Sequence, residues 1–304
     1  MTPDLSVHIA GLKLRNPILL ASGTVGYGFE ISEHVDLNKL GGVVAKSISL
    51  KPRKGNPPPR VTETPSGMIN AIGLANVGVD EFVEKKIPFL KKFDCALVAN
   101  IAASTIEEYE ELARTLDGVE EIDAIEVNVS CPNVKDGGLS FGNDADAVGN
   151  VTRRTRKATS KPLIVKLSPN VPNVAAFAKR VKDEGGDAVT AINTLVGTAF
   201  NIHTSKPKIA NVVGGLSGPA IKPVALAKVL EISRSVDIPI FGVGGIMSWE
   251  DVAEFMIVGA SAVQIGTANF VNPNIGETAL EGLRDYCVNR GLERLSDVTA
   301  SYKI

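Results

Sequence analysis

A cysteine near an asparagine and several glycines is the clearest chemical signal in the sequence. Cys131 follows Asn128 by three residues, and glycines stand at positions 137, 138 and 142. A thiolate serves as a base or a nucleophile, and glycines allow a loop to move over a site. The segment predicts an acid–base or nucleophilic thiol beneath a moving lid. Cys95 and Cys287 lie in apolar or helical patterns, and we predict structural roles for both.

Lys166 stands inside an apolar run, Leu163-Ile164-Val165-Lys166-Leu167. A lysine in such a place can hold a fixed positive charge against a developing anion. If it loses its hydration, it can instead form a Schiff base with a carbonyl group. The residue pattern leaves both chemical roles open.

Two glycine-rich segments predict a phosphate site. Gly244-Gly245 and Gly266-Thr267 each follow a short apolar run. In barrels of alternating strands and helices, phosphates bind after the seventh and eighth strands, where bare backbone N–H groups surround the anion. The sequence therefore predicts a ligand that carries a phosphate group.

These residues belong to a repeating pattern of short apolar runs and amphipathic segments. The runs are nearly continuous in apolar residues, as expected for parallel strands covered on both faces. They are Ile18–Leu20, Val43–Ala45, Ala96–Ala99, Ala124–Asn128, Leu163–Lys166, Ala188–Ile192, Ile240–Gly242 and Ala262–Ile265. Apolar residues at helical spacing lie between them, over Ile106–Leu116, Val174–Glu184, Lys222–Ser235 and Trp249–Val258. Polar side chains follow nearly every run, which predicts an active site at the carboxyl ends of the strands.

This alternation over 304 residues predicts the α/β class and a (β/α)8 TIM barrel, formed by a single domain over residues 1–304. A doubly wound sheet is the alternative, but no GxGxxG sequence follows the first run. Val7–Asn16 predicts a β-hairpin that caps the bottom of the barrel. Lys51–Ile72 contains three consecutive prolines and predicts a long loop over the barrel mouth, and Asn193–Leu216 is a second long insertion.

Composition excludes several classes of protein. Lys plus Arg number 32 against 34 Asp plus Glu, and a net charge of −2 argues against a nucleic-acid partner. The three cysteines lack the spacing of a zinc or iron–sulfur site. No apolar run is long enough for a membrane span, and the N-terminus lacks the pattern of a secretory signal. We therefore expect a cytoplasmic protein that binds neither a metal nor a membrane.

Several motifs together resemble the dihydroorotate dehydrogenase family, over essentially the whole chain. They are residues 16–23, Lys46-Ser47, residues 55–60, 65–74, 128–133, 192–194 and 214–219, and Gly244-Gly245 with Gly266-Thr267. The resemblance implies an FMN-containing barrel that oxidises (S)-dihydroorotate to orotate in pyrimidine (UMP) biosynthesis. Cys131 would be the base, and hydride would pass to FMN.

The resemblance also implies the ligand contacts. FMN would be bound by Ser22, Lys46, Ser47, Asn100, Asn128, Lys166, Ile192, Gly218, Gly244, Gly245, Gly266 and Thr267, of which the last four would hold the phosphate. The pyrimidine would be bound by Lys46, Asn70, Ala71, Ile72, Gly73, Leu74, Asn128, Asn133, Asn193 and Thr194. Asparagines both donate and accept hydrogen bonds, as the ring N–H and carbonyl groups of orotate require, and Lys46 would neutralise its carboxylate.

The resemblance is to the NAD-linked class 1B enzymes in particular. Cysteine rather than serine at position 131, in a chain that begins almost directly with the barrel, argues against the membrane-bound class 2. Residues 65–74 and 214–219 are more similar to class 1B than to class 1A. Because the chain has no cluster cysteines and no dinucleotide fingerprint, electrons would reach NAD⁺ through an FAD and [2Fe–2S] partner subunit. The expected assembly is a heterotetramer of two catalytic and two electron-transfer subunits.

Two other functions remain open from the sequence. A flavoenzyme similar to dihydropyrimidine dehydrogenase would share FMN and the cysteine but use uracil or thymine, which have no carboxylate for Lys46. A TIM-barrel lyase would form a Schiff base through Lys166 and bind a substrate phosphate at the glycine pairs. The lyase hypothesis leaves Cys131 and the asparagines without a role.

Overall fold

The computed structural model describes residues 2–130 and 141–303. Its strands in chain order are β1 (Val7–Ile9), β2 (Leu12–Leu14), β3 (Ile18–Leu20), β4 (Gly42–Val44), β5 (Val61–Thr64), β6 (Gly67–Asn70), β7 (Ala96–Ile101), β8 (Ala124–Asn128), β9 (Leu163–Leu167), β10 (Ala188–Ala191), β11 (Leu195–Thr198), β12 (Phe200–Asn201), β13 (Lys206–Pro207), β14 (Val213–Ser217), β15 (Ile240–Val243) and β16 (Ala262–Ile265).

The helices cover the outside of the sheet. They are α1 (Ser22–Val25), α2 (Phe29–Ser32), α3 (Val79–Glu81), α4 (Ile87–Leu90), α5 (Ile106–Asp117), α6 (Ala145–Ala158), α7 (Val174–Asp183), α8 (Lys222–Ser235), α9 (Trp249–Ile257) and α10 (Ile275–Arg290). A π-helical stretch, Phe82–Lys86, joins α3 to α4, and short 3₁₀ segments cover Leu37–Lys39, Phe141–Asn143, Pro219–Ile221, Thr267–Phe270 and Leu295–Val298. In the described ranges, no helix has the length and apolar character to cross a bilayer.

Eight parallel strands close into a barrel in the order β3, β4, β7, β8, β9, β10, β15, β16. The (β/α)8 TIM barrel is therefore confirmed, and the predicted strands differ from the observed ones by two residues or fewer at either end. Local caps fix where helices begin. Thr105 accepts a hydrogen bond from the Glu108 N–H at the start of α5, and Asn173 accepts one from the Ala176 N–H at the start of α7.

The predicted N-terminal hairpin is also confirmed, and it closes the floor of the barrel. Ala10 and Gly11 form its turn with φ values of 51° and 80°, the left-handed backbone that tight hairpin turns favour. The alternation of the strands turns the side chains of Val7, Ile9, Leu12 and Leu14 to one buried face. That face packs against one residue from each barrel strand: Leu19, Val44, Val98, Ala124, Ile164, Ala188, Phe241 and Ala262.

The predicted long loop over Lys51–Ile72 contains two strands in its second half, which the sequence analysis did not predict. Strands β5 and β6 form a hairpin there, and β6 pairs antiparallel with β14, which in turn pairs with β11. The prolines lie before this hairpin, so they do not remove donors from it. The two long insertions thus form one four-stranded sheet, which we call the mouth sheet, beside the carboxyl ends of the barrel strands.

Candidate active site

One cavity of about 880 Å³ opens at the carboxyl ends of the barrel strands, beside the mouth sheet. This volume lies in the upper part of the range of roughly 300–1,000 Å³ that is usual for ligand pockets. The lining includes most of the predicted site residues. They are Ser22, Lys46, Ser47, Asn70, Ala71, Ile72, Gly73, Leu74, Asn128, Lys166, Ile192, Asn193, Thr194, Gly218, Gly244, Gly245, Gly266 and Thr267.

Glycines form one end of the cavity. Gly244 and Gly245 follow β15 with φ values of 133° and 76°, a backbone that residues with a side chain rarely adopt. A Cβ atom on Gly245 would lie 2.8 Å from the carbonyl oxygen of Gly218, so the approach of the two loops also requires glycine. The register of β15 with β16 pairs the Gly244 N–H with the carbonyl of Gln264, whereas the Gly245 N–H donates to no acceptor among the described residues. The free amide of Gly245 suits an anion such as a phosphate.

An ion pair holds this glycine loop from behind. Asp251, in the first turn of α9, accepts hydrogen bonds from the N–H groups of Met247 at 2.7 Å and Ser248 at 3.1 Å. Its other oxygen lies 2.5 Å from the ammonium of Lys222, which also contacts Glu254 at 2.7 Å. The two carboxylates raise the pKa of Lys222. Because the Lys222 charge is already paired, the backbone amides are left as the donors for an anion at this end.

Lys46 supplies a positive charge on another wall of the cavity. Its backbone N–H donates to the carbonyl of Gly26 at 2.8 Å, which fixes the chain just after β4. Burial lowers the pKa of Lys46 from its ordinary value, and the charge of Arg60 lowers it further, while Glu30 opposes the shift. A partly buried ammonium is well placed to bind a carboxylate, because charge-assisted hydrogen bonds strengthen when water is excluded.

Asparagines gather on the wall between β8 and the mouth sheet. The Asn193 amide donates to Oδ1 of Asn128 at 3.3 Å, and Asn193 itself accepts from the Thr194 N–H at 2.8 Å. Asn70, on β6, donates to the carbonyl of Gly215 at 3.3 Å. These contacts orient the amides while leaving further donor and acceptor capacity, which suits a ring with both N–H and carbonyl groups.

The segment from Ala71 to Leu74 is held by two asparagines that the sequence analysis did not select. Asn56 donates to the Ala71 carbonyl at 3.0 Å, and Asn76 donates to the Leu74 carbonyl at 2.8 Å. Leu74 has a positive φ of 56°, so its backbone depends on such support. Other cavity residues that the sequence analysis missed include Ser168, Asn170, Asn211 and Ser217. Ser168 and Asn170 stand two and four residues after Lys166, a spacing that could have indicated them.

Lys166 lies on β9 and is 6% exposed. Its ammonium has no hydrogen-bond or ion-pair partner among the described residues, so it can offer its charge to a ligand in the cavity.

Asn100 is not in the lining; it is fully buried on β7, where it accepts a short hydrogen bond from the Ser47 hydroxyl. Cys131 and Asn133 lie outside the described residues, and their roles stay predictions.

Comparison with known proteins places the chain among related sequences. It matches the family model described as dihydroorotate dehydrogenase over residues 4–286. Three similar proteins are each named dihydroorotate dehydrogenase B (NAD(+)), catalytic subunit. The protein from Geotalea daltonii is 51% identical over 302 residues, 99% of each chain. Those from Thermoanaerobacter sp. (51% over 301 residues, 99% of each chain) and Trichlorobacter lovleyi (52% over 298 residues, 98% of each chain) are similar to the same extent.

Proposed function

The chain belongs to the dihydroorotate dehydrogenase family, and on that premise we propose that it oxidises (S)-dihydroorotate to orotate in pyrimidine biosynthesis. One observation carries the proposal. The glycine cradle, the Lys46 ammonium and the asparagine cluster open into the same cavity, which supports the binding of a phosphate-bearing cofactor beside a planar carboxylate. A Schiff-base lyase would need the phosphate site and Lys166 but would leave the asparagines unused.

The residues present fit FMN. Gly245 has a free amide, neither Gly244 nor Gly245 has room for a side chain, and Gly266 and Thr267 lie in the same end of the cavity. We propose that these four residues bind the phosphate, and that Ser22, Ser47, Ile192 and Gly218 bind the rest of the cofactor. When bound, FMN would supply the acceptor for the hydride that leaves C6 of dihydroorotate. Lys166 would place its buried charge against the cofactor and favour negative charge there.

The substrate contacts follow from the other wall. Lys46 would bind the carboxylate, while Asn70, Asn128 and Asn193 would orient the ring through its N–H and carbonyl groups. Ala71–Leu74 and Thr194 would complete this wall, and we propose that Asn133 joins it. The mouth sheet would exclude water from the bound ring, which strengthens these polar contacts.

We assign the proton transfer to Cys131, which follows β8 by three residues. Its thiolate would remove the proton from C5 of the substrate. Uracil and thymine lack the carboxylate that Lys46 would bind, so the related dihydropyrimidine reaction makes no use of this charge.

The relatives' names support an electron-transfer partner. They specify a catalytic subunit and NAD⁺, and we propose that electrons leave this chain through a partner subunit that carries FAD and a [2Fe–2S] cluster. We further propose a heterotetramer with two subunits of each kind. NAD⁺ as the final acceptor is consistent with a cytoplasmic enzyme.

The test is a visible spectrum of the purified chain after incubation with FMN, followed by anaerobic addition of dihydroorotate. We expect a flavin band that dihydroorotate bleaches, and no bleaching by dihydrouracil at the same concentration. A band that dihydrouracil bleaches better would favour the dihydropyrimidine reaction. Failure to bind FMN, together with trapping of a substrate on Lys166 by borohydride, would replace the proposal with the lyase.

A further inference from the structure

A fully buried carboxylate lies at the centre of the barrel. Glu126, on β8, has no exposed surface and receives three hydrogen bonds of 2.6 Å. The donors are the Asn100 amide on β7, the Thr190 hydroxyl on β10 and the Gln264 amide on β16. None of the described cations lies within ion-pair distance of it. Burial of a carboxylate without a cation is unfavourable unless donors satisfy its oxygens, because the charge loses its hydration. Packing alone therefore does not account for Glu126 at this position.

All the contacts of Glu126 require it to accept. Thr190 accepts a hydrogen bond from Gln264 at 3.2 Å, so its own hydrogen is free to point to Glu126. Gln264 turns its amide nitrogen to Glu126 although its Oε1, which is buried, then has no partner among the described residues. An acceptor-only carboxylate is the state that this arrangement satisfies.

Asn100 connects Glu126 to the cavity through a second hydrogen bond, whose direction Glu126 determines. Because its amide nitrogen donates to Oε1 of Glu126, its Oδ1 is turned the other way, toward Ser47. An amide oxygen only accepts, so the hydrogen of the Ser47 hydroxyl must point to Asn100. Ser47 lines the cavity, and it therefore presents only its lone pairs to a ligand there.

We propose that Glu126 is a positioning residue: through Asn100 it fixes the Ser47 hydroxyl as a hydrogen-bond acceptor at the cofactor wall, which then selects an N–H or O–H group of the bound flavin nucleotide. The inference rests on the proposed function, because it takes FMN as the ligand. It assigns Glu126 no contact with the cofactor. The effect of Glu126 on binding passes entirely through Ser47.

The decisive variant is Glu126→Gln, which keeps the size of the side chain. Its amide can donate to Oδ1 of Asn100, which would let the Asn100 amide turn and donate to Ser47. The Ser47 hydrogen would then point into the cavity and oppose the donor of the ligand. We expect the Kd for FMN, from a fluorescence titration of the flavin-free protein, to rise on the order of tenfold, as expected for one lost hydrogen bond with a polar clash.

The same substitution in a Ser47→Ala background separates relay from packing. Ser47→Ala alone should weaken FMN binding on the order of fivefold, and adding Glu126→Gln should then change the Kd by less than about twofold. Thr190→Val is the matched control, since it removes a donor from the other oxygen of Glu126 and leaves Asn100 in place. Its Kd for FMN should stay within about twofold of the unaltered protein.

Two results would overturn the inference: an unchanged Kd in Glu126→Gln, or an equal weakening with and without Ser47. If Glu126→Gln does not fold, Asn100→Ala and its Ser47→Ala double variant repeat the test, since Asn100 is the relay. An unaltered protein that fails to bind FMN would reject the proposed function itself. Normal FMN binding with additive substitutions would reject only the relay.

Discussion

The two ends of the barrel differ in the polarity of their inward side chains. At the floor, a ring of apolar residues, one from each strand, packs against the N-terminal hairpin. Two residues further along the chain, six of the same strands carry polar side chains, which are Lys46, Asn100, Glu126, Lys166, Thr190 and Gln264 on or just after β4, β7, β8, β9, β10 and β16. The barrel therefore changes from a sealed core to a polar site within one pleat repeat.

This difference separates stability from chemistry. The floor gains free energy from buried apolar area, whereas the mouth keeps unpaired charges and free amides that folding alone would not favour. Substitutions at the floor should change the free energy of unfolding and leave ligand binding intact. Substitutions at the mouth should change ligand binding and leave the free energy of unfolding nearly unaltered.

Cys131→Ser should give the largest effect on the reaction. A serine hydroxyl is much harder to deprotonate than a thiol, so the rate of anaerobic bleaching by dihydroorotate near neutral pH should fall on the order of 1,000-fold. FMN should remain bound. Cys95→Ser is the control, because burial raises the pKa of Cys95 to about 12 and keeps that thiol protonated. Equal rates for Cys131→Ser and the unaltered protein would remove Cys131 from the role of base.

Leu14→Ala is the counterpart at the floor. Leu14 is 1% exposed in the hairpin seal, and its truncation should lower the free energy of unfolding by about 3 kcal/mol, measured by denaturant titration. The KM for dihydroorotate and the Kd for FMN should not change. Lys13→Ala, on the exposed face of the same hairpin, should leave stability nearly unaltered. A raised KM in Leu14→Ala would show that the two ends are coupled.

Lys46→Ala should raise the KM for dihydroorotate about 30-fold, as expected for the loss of a charge-assisted hydrogen bond. Lys54→Ala, an exposed lysine nearby in sequence, should have no effect. Lys46 binds the carboxylate only when protonated, and its pKa is lowered by burial and by Arg60. Orotate affinity should therefore decline with rising pH earlier than an ordinary lysine would allow, a decline that Lys46→Ala should abolish.

Asp251→Asn should have the smallest effect, since it weakens only the support of the glycine loop. We expect the Kd for FMN to rise about fivefold, the equivalent of one modest hydrogen bond, with no change for riboflavin, which has no phosphate. Glu254→Gln removes the other carboxylate on Lys222 but contacts no loop amide, so its Kd for FMN should be unchanged. Equal weakening for FMN and riboflavin would mean that Asp251 does not act at the phosphate end.

The barrel was predictable because its signals are local. Apolar runs such as Leu163–Lys166 and amphipathic segments such as Lys222–Ser235 report their own structure through periodicity. The joining of the two insertions into the mouth sheet was missed because the pairing of β6 with β14 is not local. Gly215 pairs with Asn70, 145 residues away. Its strands contain glycines and half-exposed positions, so alternation is weak in them.

The site residues at the strand ends were predictable, whereas the polar residues buried beneath them inside the barrel were not. Lys46, Asn128 and the glycine pairs are at the exits of strands, where the fold implies function. Glu126, Thr190 and Gln264 lie inside apolar runs, two residues after a floor residue. A polar residue at an inward position of a parallel strand is the signal that could have found them, because such a position needs a hydrogen-bond partner.

The sealed floor also affects the order in which ligands enter and leave the cavity. Since the hairpin closes the lower end, the described cavity is reached from the mouth, and both ligands must share that entrance. If orotate binds nearer to that entrance than FMN, bound orotate blocks the way out of the cofactor. FMN would have to enter before the substrate and leave after the product. Saturating orotate should then slow the exchange of FMN, because the bound product blocks dissociation of the cofactor until it leaves.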